Sequence, residues 1–136
     1  MEKITDWRTY DRAVITLSDL GLSRRIPRPP ESPLLHTRCG SEDYAAPELL
    51  MGQAYDGRST DAWALGVLLY AMMENRLPFD ALPGTRGDPK KLRARTPHRI
   101  ARCEWSWYRH ADASGEWDPK NGLGLEGARE CVESLL

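Results

Sequence analysis

Asp19 is a candidate metal ligand because of its place in the sequence. It follows the short β-favouring run AVITL at residues 13–17 and precedes Leu20 and Gly21. A hard cation such as Mg²⁺ binds anionic oxygens held on a fixed element, and the end of a strand is such an element. A carboxylate beside a glycine is also typical of a simple turn. Both interpretations stay open on these three residues alone.

The elements expected to position this carboxylate are a strand, a loop and two helices. Residues 13–17 predict a strand that ends at the turn formed with Gly21. Four prolines between residues 23 and 38 predict a loop, since proline donates no backbone hydrogen bond. Residues 46–52 predict a short helix with proline in its first turn. A second helix is expected to start near Thr60-Asp61 and to run to Met73, with Thr60 as its cap.

The second predicted helix is apolar on every side between Ala62 and Met73. A helix without a polar face must be surrounded by protein, so it is expected to form the core of the fold. Residues 81–96 predict an exposed loop whose basic run, Lys90 to Arg93, is interpreted as solvated surface. Another helix is predicted at residues 98–107, followed by a loop at 111–124. A final amphipathic helix carries Leu125, Ala128, Val132 and Leu135 on one face.

Composition excludes several classes of protein. The 136 residues suit one domain, and 20 acidic residues against 19 basic ones argue against a nucleic-acid-binding domain or a basic membrane arm. Three widely spaced cysteines predict neither a disulfide framework nor a zinc ribbon. The longest apolar run has 12 residues, whereas a bilayer crossing needs about 20. We therefore expect a soluble, intracellular and cytoplasmic protein with no signal segment.

Several motifs together resemble the protein kinase family, of the serine/threonine type. Asp19-Leu20-Gly21 resembles the D-F-G motif, with leucine in place of phenylalanine. Ala46-Pro47-Glu48 reads as the A-P-E motif, and the segment CGSEDYA at residues 39–45 resembles the loop that positions the substrate peptide. Asp61, Trp63 and Gly66 are similar to the D-x-W-x-x-G start of the central helix, and NRLPF at 75–79 resembles the segment that follows it.

The resemblance implies a fold and an arrangement of segments. The fold class is mainly α, a kinase-like C-lobe fragment with a short β-strand or hairpin at its N-terminal end. Residues 13–48 would be the activation segment, 60–74 the buried central helix and 97–136 the C-terminal helices. Residues 1–136 together would be a partial kinase domain.

The same resemblance implies roles for individual residues. Asp19 would hold Mg²⁺, and Gly40 and Ser41 would position the substrate. Thr37 is a candidate phosphorylation site whose phosphate would pair with Arg24, with Arg25 and Arg38 as alternatives. Asp61 would bond to the backbone of the catalytic loop, although a first-turn carboxylate of a helix explains it equally well. Glu48 would lack the arginine partner that it has in a complete kinase, because Arg129 does not match that position.

Other parts of a kinase are not found among these 136 residues. There is no G-x-G-x-x-G loop, no V-A-I-K lysine and no H-R-D loop, which hold the phosphates and supply the base. The resemblance implies ATP and Mg²⁺ as cofactors and a protein substrate, but this chain alone is expected to bind ATP weakly and to be inactive. Two functions stay open: part of a serine/threonine kinase, or a catalytically inactive fragment that acts as an interaction module. In either case the missing N-lobe or another protein would cover exposed apolar surface.

Overall fold

The computed structural model describes residues 15–136, and these residues are mainly helical. Within that range five α-helices follow one another, with a 3-10 turn at Leu20–Leu22 and another at Glu42–Tyr44. The helices are α1 Pro47–Leu50, α2 Gly57–Glu74, α3 Pro89–Arg93, α4 Thr96–Ala101 and α5 Glu126–Leu135. The predicted mainly helical fold class is confirmed.

The strand or hairpin expected near residues 13–22 is not formed in the part that is described. Residues 13 and 14 lie outside the described residues, and residues 15–19 are irregular. Ile15 and Leu17 are 89% and 87% exposed. Between residues 15 and 136 the β-pairing consists of two isolated antiparallel bridges, Leu35 with Tyr55 and Ala111 with Trp117. Within residues 15–136 no strand pairs with residues 15–17, and a strand is stable only when it is paired.

Helix α2 begins earlier than the sequence predicted, and a different residue caps it. The side chain of Asp56 accepts a hydrogen bond from the backbone N–H of Arg58 at 2.9 Å. Thr60, the expected cap, lies inside the first turn and donates from Oγ1 to the carbonyl of Gly57 at 3.1 Å. Both residues are good caps, so position within the tertiary fold decided between them. The helix ends at Asn75, which adopts a left-handed conformation with φ 55°.

Helix α2 is enclosed on one side only. Val67 and Tyr70 are fully buried, and Met73 is 8% exposed. On the other side Leu65, Leu68 and Met72 are 59%, 46% and 74% exposed. An apolar surface of this kind is unusual on a free protein surface. The sequence predicted that protein would enclose this helix on every side. Within the residues that the structure describes, one face of α2 is covered and the other is exposed.

Two hydrophobic clusters lie against the buried side of α2. The first contains Val67, Phe79 and Ile100, with Trp63 stacked on Phe79 at 5.6 Å between ring centroids. The second is dominated by aromatic rings and consists of Tyr70, Met73, Trp107, Trp117 and Val132. Helix α2 contributes residues to both clusters. Helices α4 and α5, and the loop between them that carries Trp107 and Trp117, therefore pack against α2.

The C-terminal half departs from the sequence prediction in two places. The loop predicted at residues 81–96 contains α3, because Asp88 accepts a hydrogen bond from the backbone N–H of Lys90 at 2.9 Å and caps a helical turn. The helix predicted at 98–107 ends at Ala101, and Cys103 is exposed with φ 50°. Trp107 is nonetheless buried, in a loop. The final helix forms as predicted, with Val132 buried.

A buried carboxylate holds the loop after α4 against the end of α2. Glu74 is 3% exposed and accepts hydrogen bonds from the backbone N–H groups of Tyr108, Arg109 and His110 at 3.0, 2.5 and 3.3 Å. The Nδ1 atom of His110 lies 2.8 Å from the same carboxylate. Burial raises the pKa of Glu74, but the hydrogen bonds from Arg109, His110 and Tyr108 outweigh it, so the pKa lies below its ordinary value.

The neighbouring Tyr70 hydroxyl is a second buried polar anchor. It donates to the carbonyl of Ser106 at 2.7 Å. Burial, with a smaller contribution from the Glu74 charge, raises the pKa of Tyr70 to about 12, which keeps the hydroxyl protonated as a donor. Tyr70 and Glu74 therefore attach the same loop to α2 at two points.

None of the helices within residues 15–136 has the length and apolar content that a bilayer crossing requires.

The contact between α2 and α5 predicts a stability change at Gly66. A Cβ placed there would lie 2.7 Å from Cβ of Leu135, which is closer than packed atoms approach. We expect Gly66→Ala to lower the free energy of unfolding by about 1–2 kcal/mol despite alanine's better helix propensity. The matched control is Gly127→Ala on α5, where no atom lies within 4 Å and a gain of about 0.5–1 kcal/mol is expected. Urea titrations measure both, and a gain for both variants would contradict this packing.

The buried Glu74 carboxylate predicts a pH dependence. Its folded-state pKa is lowered, so its stabilising contribution is complete above its ordinary pKa of 4.5 and is lost as the pH falls below that value. We expect Glu74→Gln to cost about 2 kcal/mol at pH 7 and to flatten the decrease in stability between pH 5 and 3. Glu31→Gln, at an exposed position, is the control and should keep the wild-type slope. An unchanged slope in Glu74→Gln would show that other groups carry the pH dependence.

Candidate functional site

The predicted activation segment is held near the N-terminal end of α2 by contacts around Thr37. The guanidinium of Arg24 donates a hydrogen bond to Oγ1 of Thr37, so the structure brings together the two residues that the sequence paired. The hydroxyl of Tyr55 donates to the Thr37 carbonyl at 2.6 Å. Leu35 and Tyr55 also exchange backbone hydrogen bonds of 2.8 and 3.0 Å. Thr37 is therefore fixed through its backbone while its side chain stays exposed.

An open cavity of about 430 Å³ lies beside these residues. Arg24, Thr37 and Tyr55 line it, together with Cys39 and Asp61. Arg38, the alternative partner for a phosphate, lies outside this lining and forms an ion pair of 2.6 Å with Glu42. Arg24 is therefore the arginine whose guanidinium contacts the Thr37 hydroxyl.

Gly40, Ser41 and Asp61 meet at a second, smaller cavity of about 180 Å³. Gly40 has φ 90°, a conformation that favours glycine, and it turns the chain into the 3-10 turn at Glu42–Tyr44. Ser41 precedes that turn, and its side chain makes no capping hydrogen bond. Asp61 reaches the cavity from the first turns of α2. The predicted substrate-positioning pair therefore lies beside the carboxylate expected to contact the catalytic loop.

Asp19 stands apart from this pair. It is exposed and adopts a left-handed conformation with φ 55° at the start of the 3-10 turn Leu20–Leu22. Within residues 15–136 no three His, Cys, Asp or Glu side chains come together as metal ligands. The described residues therefore do not form a Mg²⁺ site by themselves, and Asp19 offers one carboxylate towards such a site.

The Ala46-Pro47-Glu48 motif forms the start of α1. Ala46 is 2% exposed, and Pro47 occupies the first helical position, where its missing N–H leaves no bond unmade. Glu48 lies in the first turn, and its carboxylate forms no ion pair with any residue between 15 and 136. Helix α1 packs on α4, so the motif connects the predicted activation segment to the C-terminal half.

Trp63 and Gly66 on α2 serve packing. The indole of Trp63 stacks on Phe79, and its Nε1–H is buried without a hydrogen-bond partner in the described part of the chain. Gly66 permits the close approach of Leu135 and Leu136. Both residues therefore position α2, and neither lines the cavity beside Thr37 or the cavity at Ser41.

Sequence reasoning missed two contacts in this region. Tyr55 was not singled out, although it anchors Thr37 and is 8% exposed. Arg93 on α3 forms an ion pair with Asp43 at 3.4 Å, fifty positions away in the sequence. Neither contact carries a local sequence signal, because each joins segments that meet only in the folded chain.

A family description named protein kinase domain matches residues 8–119, which is most of the chain. The chain belongs to the protein kinase family. That membership confirms the resemblance carried by the D-F-G-like and A-P-E motifs.

Two of the relatives that this chain matches are named serine/threonine-protein kinases. It is 48% identical over 98 residues to the serine/threonine-protein kinase PRR1 of Saccharomyces cerevisiae, covering 72% of this chain and 18% of the relative. It is 40% identical over 109 residues to the serine/threonine-protein kinase ppk27 of Schizosaccharomyces pombe, covering 79% of this chain and 25% of the relative. A third relative is the CBL-interacting protein kinase 9 of rice, Oryza sativa subsp. japonica, at 46% identity over 66 residues, 48% of this chain and 14% of the relative. The chain thus spans a quarter or less of the length of these relatives.

Proposed function

We propose that this chain supplies the substrate-facing part of a serine/threonine protein kinase, which transfers a phosphoryl group from ATP to protein hydroxyls. The observation that carries the proposal is the meeting of Gly40, Ser41 and Asp61 at one cavity in a chain of the kinase family. The names of the two yeast relatives support the serine/threonine class. A protein substrate follows from the same class.

Phosphoryl transfer depends on positioning and on neutralising charge, and the proposed roles follow from that requirement. Ser41 and Gly40 would place the substrate segment, and Asp61 would support the neighbouring catalytic loop. We propose ATP and Mg²⁺ as cofactors because the chain belongs to the kinase family. Asp19 would be one carboxylate of the metal site. Since no three His, Cys, Asp or Glu side chains come together among the described residues, we do not expect this chain alone to bind Mg²⁺ or ATP tightly.

Thr37 is the proposed site of an activating phosphorylation. A phosphate there would add about −1.5 to −2 charges and three acceptor oxygens. Arg24 already contacts the Thr37 hydroxyl, so a cation is in place to bind the phosphate. We therefore propose that the phosphorylated form has a better ordered segment at residues 23–38.

The second candidate function is an inactive interaction module. It is favoured by the apolar face of α2, where Leu65, Leu68 and Met72 are exposed. The missing N-lobe of a kinase or another protein would cover such a surface. Activity measurements separate the two functions.

The first prediction from the proposed function concerns Thr37. Amide hydrogen exchange across residues 23–38 should slow about threefold to tenfold when Thr37 is phosphorylated, because the phosphate gains charge-assisted bonds to Arg24. Arg24→Gln should abolish most of this slowing. Arg28→Gln, a matched change at an exposed arginine of the same segment, should leave it intact. Equal exchange with and without the phosphate would reject the role of Thr37.

The second prediction concerns activity. The 136-residue chain alone should phosphorylate no serine peptide above background. A chimaera in which this chain replaces the matching segment of the budding-yeast relative should phosphorylate serine peptides with ATP and Mg²⁺. Asp19→Asn should reduce that activity by about a hundredfold or more, since a metal ligand is lost.

The control for the chimaera is Asp80→Asn, which alters an exposed carboxylate and should keep most of the activity. A folded chimaera without activity would favour the inactive interaction module. Activity in the isolated chain would reject the assignment of catalysis to segments that it lacks.

A further inference from the structure

Residues 86–102 are strongly basic although the chain as a whole carries a net charge of −1. The segment includes α3 and α4 and has seven Lys or Arg residues against one acidic residue, Asp88. Arg99 is used internally, donating to the carbonyl of Phe79 at 2.6 Å. Apart from Arg99, four of these residues form no ion pair within residues 15–136: Arg86, Lys90, Lys91 and Arg95. This concentration of cations needs an explanation beyond folding.

An open cavity of about 520 Å³ separates this basic segment from the residues proposed to position the substrate. Lys90 and Arg93 line one side, and Ser41 and the 3-10 turn line the other. Ala94 and the half-buried Pro97 add apolar surface to the lining. A peptide lying at Ser41 would therefore have a cationic wall within reach.

The acidic groups of the cavity are already paired. Asp43 lies 3.4 Å from Arg93, and Glu42 lies 2.6 Å from Arg38. The side chain of Arg93 is 79% exposed, and exposed ion pairs of this kind are weak and rearrange readily. Lys90 has no anionic partner among the described residues, so the cavity favours a ligand that carries negative charge.

We propose that Lys90 and Arg93 select substrate peptides with an acidic side chain beside the hydroxyl that is phosphorylated. This inference rests on the proposed function, because it takes Ser41 as the point where the substrate lies. A carboxylate from the substrate would bind Lys90 and share Arg93 with Asp43. An extended polyanion such as nucleic acid fits less well, since Glu42 and Asp43 stand on the opposite wall of the cavity.

Binding of short peptides to the 136-residue chain tests the charge preference directly. The probes are fluorescein-labelled serine peptides flanked by either glutamates or glutamines, measured by fluorescence anisotropy. The glutamate peptide should bind about three- to tenfold more tightly, and the difference should shrink as salt is raised. The double change Lys90→Gln, Arg93→Gln should remove the difference.

Two further variants keep the test specific. Lys120→Gln makes one of the same charge changes at an exposed position of the 111–124 loop and should keep the preference. Lys90→Glu should shift binding towards a lysine-flanked peptide. Lys90 and Arg93 are both exposed, so circular dichroism spectra of all variants should match the unmodified chain.

The outcomes separate this inference from the proposed function. Equal binding of the glutamate and glutamine peptides would overturn the inference, as would tighter binding of single-stranded DNA that depends on Lys90 and Arg93. In the chimaera, activity with no preference for acidic peptides would overturn the inference and leave the kinase function standing. An inactive chimaera, with the charge preference still present in binding, would reject the kinase function and keep the acidic-peptide surface.

Discussion

The burial of one side of α2 is the constraint on which the described structure depends. Val67 belongs to the cluster with Phe79 and Ile100, while Tyr70 and Met73 belong to the cluster with the tryptophans. Burying each of these side chains removes apolar area from water, which stabilises the fold by roughly 25 cal/mol per Å². Because both clusters share one helix, displacing α2 would expose both together. The end of the same helix carries Glu74, so the polar anchoring of the loop also depends on it.

The predicted activation segment is attached to the opposite end of α2. Tyr55 and Asp56 immediately precede the helix; the first fixes Thr37 and the second caps the first turn. Asp61 then lies beside Ser41 in the small cavity. The residues proposed to act on a substrate are therefore exposed and loop-borne, but they are held by a rigid helix. This arrangement of functional loops on a packed scaffold is common in enzymes.

Charge is unevenly distributed over this nearly neutral chain. Acidic residues near Ser41 face the basic segment that contains α3, and one ion pair, Asp43 with Arg93, crosses between them. Net charge alone argued against a polyanion partner, whereas the local distribution indicates a small basic surface beside the proposed substrate-positioning residues. The two statements are compatible, since binding responds to the local field and solubility responds to the total charge.

The sequence by itself determined the family, the mainly helical fold, and the existence of α2 and α5. These follow from local patterns: a long apolar run, an amphipathic spacing and ordered motifs such as Ala46-Pro47-Glu48. It also paired Arg24 with Thr37, a pair that the structure places in contact. What these residues do in catalysis stays a prediction.

The tertiary structure decided everything that required distant segments to meet. It chose Asp56 over Thr60 as the cap of α2, left the apolar run at 15–17 unpaired and ended α4 at Ala101. It buried Trp107 outside a helix and surrounded Glu74 with three backbone donors from residues more than thirty positions away. Local propensities differ by only about 1 kcal/mol or less, so the packing of distant residues outweighs them wherever the two disagree.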